Sequence, residues 1–175
     1  MLNVWFDSEK ALEAILYVAS RAPVPDIYHV GKILYFADRV HLDRYGRLIT
    51  GDKYRAMKDG PVAHHMYDII KIARGDGVVV PKGCSKDDIK RSLSVKGLRV
   101  KSLREADEDL FSDSDIECID QAIKEYGRKS FKAIRDISHD DVWSSVDLNE
   151  DIPLETIAKS CEDGDKLVAY LSTGI

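Results

Sequence analysis

Asp38, His41, the adjacent pair His64 and His65, the run Ser138-His139-Asp140 and the cysteines Cys84, Cys118 and Cys161 are the residues whose types could do chemistry. Their spacings argue against it. Neighbouring residues on a helix point about 100° apart, so His64 and His65 cannot share one ion. Neither has a second His four positions away, and no HExxH occurs. Ser138, His139 and Asp140 are consecutive, which is not the geometry of a nucleophilic triad, and there is no GxSxG. The three cysteines are far apart, with no CxxC and no His at ligand spacing. That pattern fits a reducing compartment, with neither a disulfide framework nor a zinc site. The expectation is therefore a protein without catalytic residues, metal or cofactor.

The elements that must hold these residues read mostly as helices. Ser8 is placed to cap a first helix with Leu12, Ile15, Leu16 and Ala19 on one face, ending before "APVP". Asp26 caps a second, which runs to Tyr45 and closes at Gly46. Its apolar residues, among them Val30, Ile33, Leu34 and Ala37, cover so wide an arc that neighbours must pack on most sides of it. Tyr28, Lys32, Arg39 and Asp43 form the narrow polar strip that remains. Asp38 and His41 fall off that strip. A carboxylate on an apolar side must find hydrogen bonds. The nearest partners in sequence are the amides of Gly51-Asp52, Lys53 and Tyr54. Asp38 is accordingly read as a post that pins the following segment to the helix, the alternative being that it reaches solvent at the edge of the arc. His41 reads as a hydrogen-bonded core histidine rather than a ligand or base.

Beyond Gly46 the period shortens. "RLIT" and "KYRAM" flank Gly51-Asp52, which suits a type II′ hairpin. Gly60-Pro61 then reads as the start of a helix with Pro61 in its first position, burying Val62, Met66, Ile69 and Ile70 and stopped by Gly75. "VVVP" is a short strand candidate, and alternation across Lys96-Gly97 predicts a second small hairpin. Ser112 or Asp113 caps a helix ending at Gly127, a short helix carries Phe131, Ile134 and Ile137, and Pro153 opens a last helical segment in one piece or two. The sum is a predominantly helical α+β fold, with about six helices around a central buried one and one or two small β-hairpins. At 175 residues it is expected to be a single domain, 1–175.

Composition narrows the partners. Hydrophobic residues at 44% and charged residues at 33% describe a soluble globular chain, with no apolar run long enough for a bilayer. The opening "MLNVWFDSEK" lacks the basic start and long apolar run of an export signal, so a cytoplasmic location is expected. The net charge of −5 opposes general attraction to nucleic acid and mildly favours a partner with a basic face.

The stretch "KILYFADRVHLDRYGRLITGDKYRAMKDGPV", Lys32 to Val62, resembles the Panacea domain, the SocA-like antitoxin family that includes phage-associated proteins. Leu34, Tyr35, Ala37, Asp38, Tyr45-Gly46-Arg47, Ile49-Thr50-Gly51-Asp52, Tyr54, Ala56-Met57 and Gly60-Pro61-Val62 fit its pattern. Leu48 replaces a usual Pro, and Asp59 stands where an aromatic is common. "SHDDVW", Ser138 to Trp143, resembles a second, weaker signature, with Trp143 read as a core plug. The resemblance implies an antitoxin that neutralises a cognate toxin protein by direct contact. It does not imply an enzyme.

Tyr35, Lys53, Arg55, Lys58 and Tyr67 belong to or adjoin this region and are candidate partner-binding residues, since Tyr and Arg anchor interfaces well. Ordinary solvated positions are the equal alternative. Two other functions stay open. Residues 113–138 could form a helix-turn-helix carrying Lys124, Arg128, Lys129, Lys132 and Arg135, although Glu117, Asp120, Glu125 and Asp136 dilute that field. An adaptor that delivers a bound protein to a protease shares the interaction logic. Homo-oligomerisation is left open, and no membrane partner is expected.

Overall fold

The computed structural model describes residue 2 and residues 4–173. Among the described residues the chain forms eight α-helices and five short strands, a predominantly helical α+β architecture. Helix α1 (Ser8–Arg21) is capped by Asp7, one residue earlier than expected, whose carboxylate accepts from the Lys10 amide at 3.0 Å. Helix α2 (Ile27–Tyr45) has the caps its sequence shows: Asp26 accepts from the His29 amide at 2.7 Å, and Gly46 closes it at φ +71°. That left-handed turn is a conformation Gly adopts without steric cost.

The Asp43–Val62 region departs from expectation. Gly51-Asp52 makes no hairpin; residues 47–53 are an irregular connector. Strands β1 (Tyr54–Met57) and β2 (Gly60–Ala63) pair antiparallel across Lys58-Asp59, with Met57 opposite Gly60 and Tyr54 opposite Ala63. Pro61 therefore lies in a strand rather than at a helix start. It is tolerated because β2 is an edge of the sheet order β2-β1-β5, where a missing N–H breaks no inner ladder. Strand β5 (Asp151–Ile152) covers the other side of β1, pairing Ile152 with Tyr54. Helix α3 (His64–Arg74) begins only after the hairpin and stops at Gly75, φ +100°.

"VVVP" forms no strand, and Val78 is 93% exposed. Helix α4 (Lys86–Ser92), capped by Ser85, follows in a stretch too short and polar to betray its apolar period. Strands β3 (Leu93–Lys96) and β4 (Arg99–Ser102) make the second hairpin. Helix α5 (Asp113–Tyr126) opens with a capping box in which Ser112 and Asp115 satisfy each other's amides. Helix α6 (Phe131–Ser138) follows, and the last segment is two helices, α7 (Leu154–Lys159) and α8 (Gly164–Ser172). These divisions raise the expected six helices to eight.

The buried residues form one contiguous cluster, to which α1 contributes Ile15 and Leu16, α2 Ile33 and Leu42, and α3 Ile69 and Ile72. Helix α2 sits at its centre, as its apolar arc requires. Lys32 corrects the expected polar strip: it is 2% exposed, because the β1–β2 hairpin lies over it. Its long alkyl stem makes that position tolerable.

Gly31 stands inside α2, yet beyond the helix's own backbone nothing lies within 4 Å of where its β-carbon would sit. A helix-interior Gly costs about 1 kcal/mol relative to Ala. Gly31→Ala is expected to raise stability by about that amount, seen as a rise in Tm of roughly 2–4 °C by circular dichroism.

Candidate functional site

Asp38 is 2% exposed on α2 and is fully occupied. The Ile49 amide donates to Oδ1 at 2.6 Å, and the Tyr54 hydroxyl donates to Oδ2 at 2.6 Å. One carboxylate thus ties the 47–53 connector and the first residue of β1 to the central helix. Tyr54 is an expected partner but bonds through its hydroxyl rather than its amide, and the amide comes from Ile49 instead of Gly51-Asp52 or Lys53. Burial pushes the Asp38 carboxyl up to about 6, while the Tyr54 and Ile49 bonds pull it back.

The Asp52 side chain turns toward α3. Its carboxylate accepts from the amides of Lys53, His65 and Met66 at 2.7, 3.1 and 2.9 Å. Residue 63, at the helix's own N-cap position, is Ala and has no side-chain cap, so Asp52 serves α3 from the connector. The same Oδ1 lies 2.7 Å from His65 Nδ1, and this bond raises the His65 pKa, against the effect of burial. Gly51 at φ +70° leaves no room for a side chain, since the Trp5 carbonyl packs against it.

His41 is a core histidine with both ring nitrogens engaged. Nδ1 lies 2.9 Å from the Arg47 carbonyl and Nε2 2.9 Å from Ser114 Oγ. Burial lowers its pKa. Nδ1–H donates to the Arg47 carbonyl and Nε2 faces both Ser114 Oγ and, at 3.2 Å, the Asp115 carboxylate, holding the turn after Gly46 against α5.

The second signature straps the hairpin from outside. Trp143 Nε1 donates to the Met57 carbonyl at 2.8 Å, and its ring stacks on His139 with centroids 3.9 Å apart. Asp140 accepts from the Trp143 amide at 3.0 Å and from Arg39 Nη1 at 2.5 Å, returning the strap to α2. Gly60 is required here: at φ +109° it lies against Ser138 Oγ and the end of the Lys32 side chain, where a β-carbon would collide. From α2, Tyr28 Oη donates to the Asp59 carbonyl at 3.1 Å and Lys32 Nζ to the Pro61 carbonyl at 2.5 Å. The hairpin is therefore held on both sides.

The candidate partner-binding residues do not form one surface. Tyr35 has no exposed area; it packs edge-on to Tyr54 at 5.0 Å between centroids, so it cannot contact a partner from this position. Its aromatic character serves the core, which corrects the expectation. Arg55 is half-buried and paired with Asp151 at 2.9 Å. Lys53 is exposed beside a cavity of about 320 Å³ between the connector and α7. Lys58 and Tyr67 share a different concavity.

That concavity is a cleft of about 530 Å³ between α2, the β1–β2 hairpin and α3. Leu34, Met66 and Ile70 line it with Tyr28, Tyr67 and Phe131. Lys32 is among its lining residues, and burial drops the pKa of that amine to about 7, with Asp59 pulling it partly back. Lys32 was missed as a site residue because helical periodicity put it on a solvated strip. Leu98, 71% exposed, was missed as well: Lys96 pairs with Arg99, so the turn is Gly97-Leu98, one residue later than the expected Lys96-Gly97. An apolar residue in a two-residue turn is a signal that could have found it.

A cluster of His, Cys, Asp or Glu able to hold a metal is absent among the described residues. None of the described helices is long and apolar enough to cross a membrane. In the helix-turn-helix candidate, Lys132 pairs with Asp136 at 2.6 Å and Arg135 with Asp59 at 3.1 Å, so two of its five cations are already engaged. A family model described as "Antitoxin SocA-like, Panacea domain" matches residues 30–144. Asp38, Asp52, Tyr54 and Trp143 all fall inside that match. No curated protein and no solved structure matches the chain.

Asp38→Ala leaves the Ile49 amide and the Tyr54 hydroxyl unpaired in the core, and is expected to cost about 2–4 kcal/mol in urea unfolding; Tyr54→Phe costs about 1–2. An unchanged midpoint for Asp38→Ala would refute the pin. For Lys32 the native pKa of about 7 lies below the ordinary 10.5. Between those values the unfolded chain holds a proton that the native state has released, so Lys32 makes stability rise with pH across that window. Lys32→Met should flatten the rise, as measured by urea unfolding at pH 7 and pH 10.

Proposed function

We infer, for a chain that belongs to the SocA-like antitoxin family of the Panacea domain, that it neutralises a toxin protein by direct, non-catalytic contact in the cytoplasm. The observation that carries this reading is the family match, which spans the segment strapped to α2 by Asp38, Lys32, Tyr28 and Trp143. A contact face fixed before encounter loses less ordering entropy when a partner docks. Lys58, exposed in the hairpin turn and without an ion-pair partner among the described residues, gives that face an unspent positive charge. Tyr67 shares the cleft with Lys58, whereas Lys53 borders the other cavity and Arg55 is paired with Asp151.

The adaptor reading uses the same contacts and differs in the fate of the partner. DNA regulation through residues 113–138 is disfavoured by the acidic total and by the internal pairing of Lys132 and Arg135. Co-expression with the product of the adjoining gene tests the main reading: growth should be rescued and the two proteins should co-purify, with the partner's level unchanged. Loss of the partner would point to the adaptor. Lys58→Glu should weaken co-purification roughly tenfold without moving Tm, since an exposed interface charge acts on association rather than folding. Failure of the native chain to rescue or co-purify would sink the antitoxin reading.

A further inference from the structure

The cleft beside the hairpin carries an arrangement that docking on the hairpin alone does not explain. Its lining is aromatic and aliphatic, and two exposed apolar residues, Leu98 and Phe131, extend it to the surface at 71% and 47% exposure. Its carboxylates are already engaged: Asp26 by His29 at 2.9 Å and Asp59 by Arg135 at 3.1 Å. Its amines are not. Lys32 Nζ has one neutral acceptor, the Pro61 carbonyl, and lies 5.0 Å from the Tyr28 ring centroid, and neither Lys32 nor Lys58 has an ion pair among the described residues. The cleft therefore offers apolar area beside two amines without an ion pair among the described residues: the exposed Lys58, and the buried Lys32, which Asp59 compensates only in part.

Gly31 is the second, independent observation. It lines the cleft in mid-helix at a position whose missing side chain relieves no collision. Packing does not require this glycine, and helix propensity opposes it. What its absence of side chain does provide is open volume in the cleft next to Lys32.

We propose that the cleft receives a segment of the partner protein that presents a large apolar side chain with an acidic side chain beside it. The apolar group fills the space before Gly31, and the carboxylate pairs with Lys32 and Lys58. A protein segment fits better than a free small carboxylate because Leu98 and Phe131 continue the apolar area outside the cavity, and because Lys58 joins the cleft to the hairpin face. This rests on the antitoxin reading and gives it a recognition chemistry.

The test uses the full chain, ¹⁵N-labelled, titrated with acetyl-Leu-Phe-Glu-Leu-amide, with the same peptide carrying Gln for Glu, and with 4-phenylbutanoate as the small-molecule arm. Amide shifts should map to the cleft, and the Glu peptide should bind at least about tenfold tighter than the Gln peptide, the margin of one charge-assisted hydrogen bond. Gly31→Leu should abolish binding while Gly31→Ala, whose Tm reports on folding, keeps it. Equal binding of the Glu and Gln peptides, binding untouched by Gly31→Leu, or tighter binding of 4-phenylbutanoate than of the Glu peptide would overturn the proposal. Growth rescue separates the two readings. If Gly31→Leu rescues as well as the native chain, the cleft proposal fails and the antitoxin reading stands. If the native chain does not rescue, the antitoxin reading itself fails.

Discussion

A carboxylate buried on the central helix is the constraint from which the rest follows. Asp38 lies in a region from which water is excluded, and an unpaired acid there would be costly. Its two acceptor oxygens can be satisfied only if the connector after α2 curls back to offer the Ile49 amide and if Tyr54 enters the core. Once Tyr54 is placed, β1 has its direction, β2 follows by register, and β5 finds the free side of β1. Asp52 then has to serve a different master. It closes the amino end of α3, so two acids fourteen residues apart tie the connector to two helices, Asp38 from α2 and Asp52 from the connector to α3.

This arrangement leaves the hairpin with few degrees of freedom and concentrates unsatisfied chemistry in one place. Tyr28, Lys32, Trp143 and Arg135 each bind a group of the hairpin or its turn. Lys32 is the costly member. Its amine is desolvated with a single carbonyl as acceptor, which is why its pKa falls so far. An amine desolvated to this degree, with only the Asp59 charge to offset it in part, stabilises little by itself, and it lies at a cleft.

Much of the fold was legible because caps and period agreed. Asp26, Gly46, Ser112 and Gly75 stand where the chain changes direction, and the apolar arc of α2 correctly marks it as central. Gly51-Asp52 misled because its local turn chemistry is genuine in type, while the decisive partners of Asp52 are amides of a helix that begins a dozen residues later. Lys32 and Tyr35 misled in opposite senses. A lysine at the edge of an arc looks solvated until a hairpin is laid over it, and an interface-type aromatic in a signature segment can equally well serve the core. The strand β5 left no mark, since two residues pairing with a distant edge have no period. Of the candidate site, the Asp38–Tyr54 link could be argued from one sequence; the cleft could not, because its walls come from α2, the hairpin, α3, the Gly97 turn and α6.

The Trp143–Met57 bond joins positions separated by 86 residues, and the Arg55–Asp151 pair by 96. During synthesis the hairpin emerges long before either fastener exists. A chain truncated ahead of Trp143 lacks the outer strap, and one ending before Asp151 leaves β1 with a bare edge able to pair with another strand. The hairpin's full fastening therefore comes late on the ribosome, after most of the polypeptide has been made. Between those two moments the exposed ribbon is the part of the nascent protein with most to gain from a chaperone.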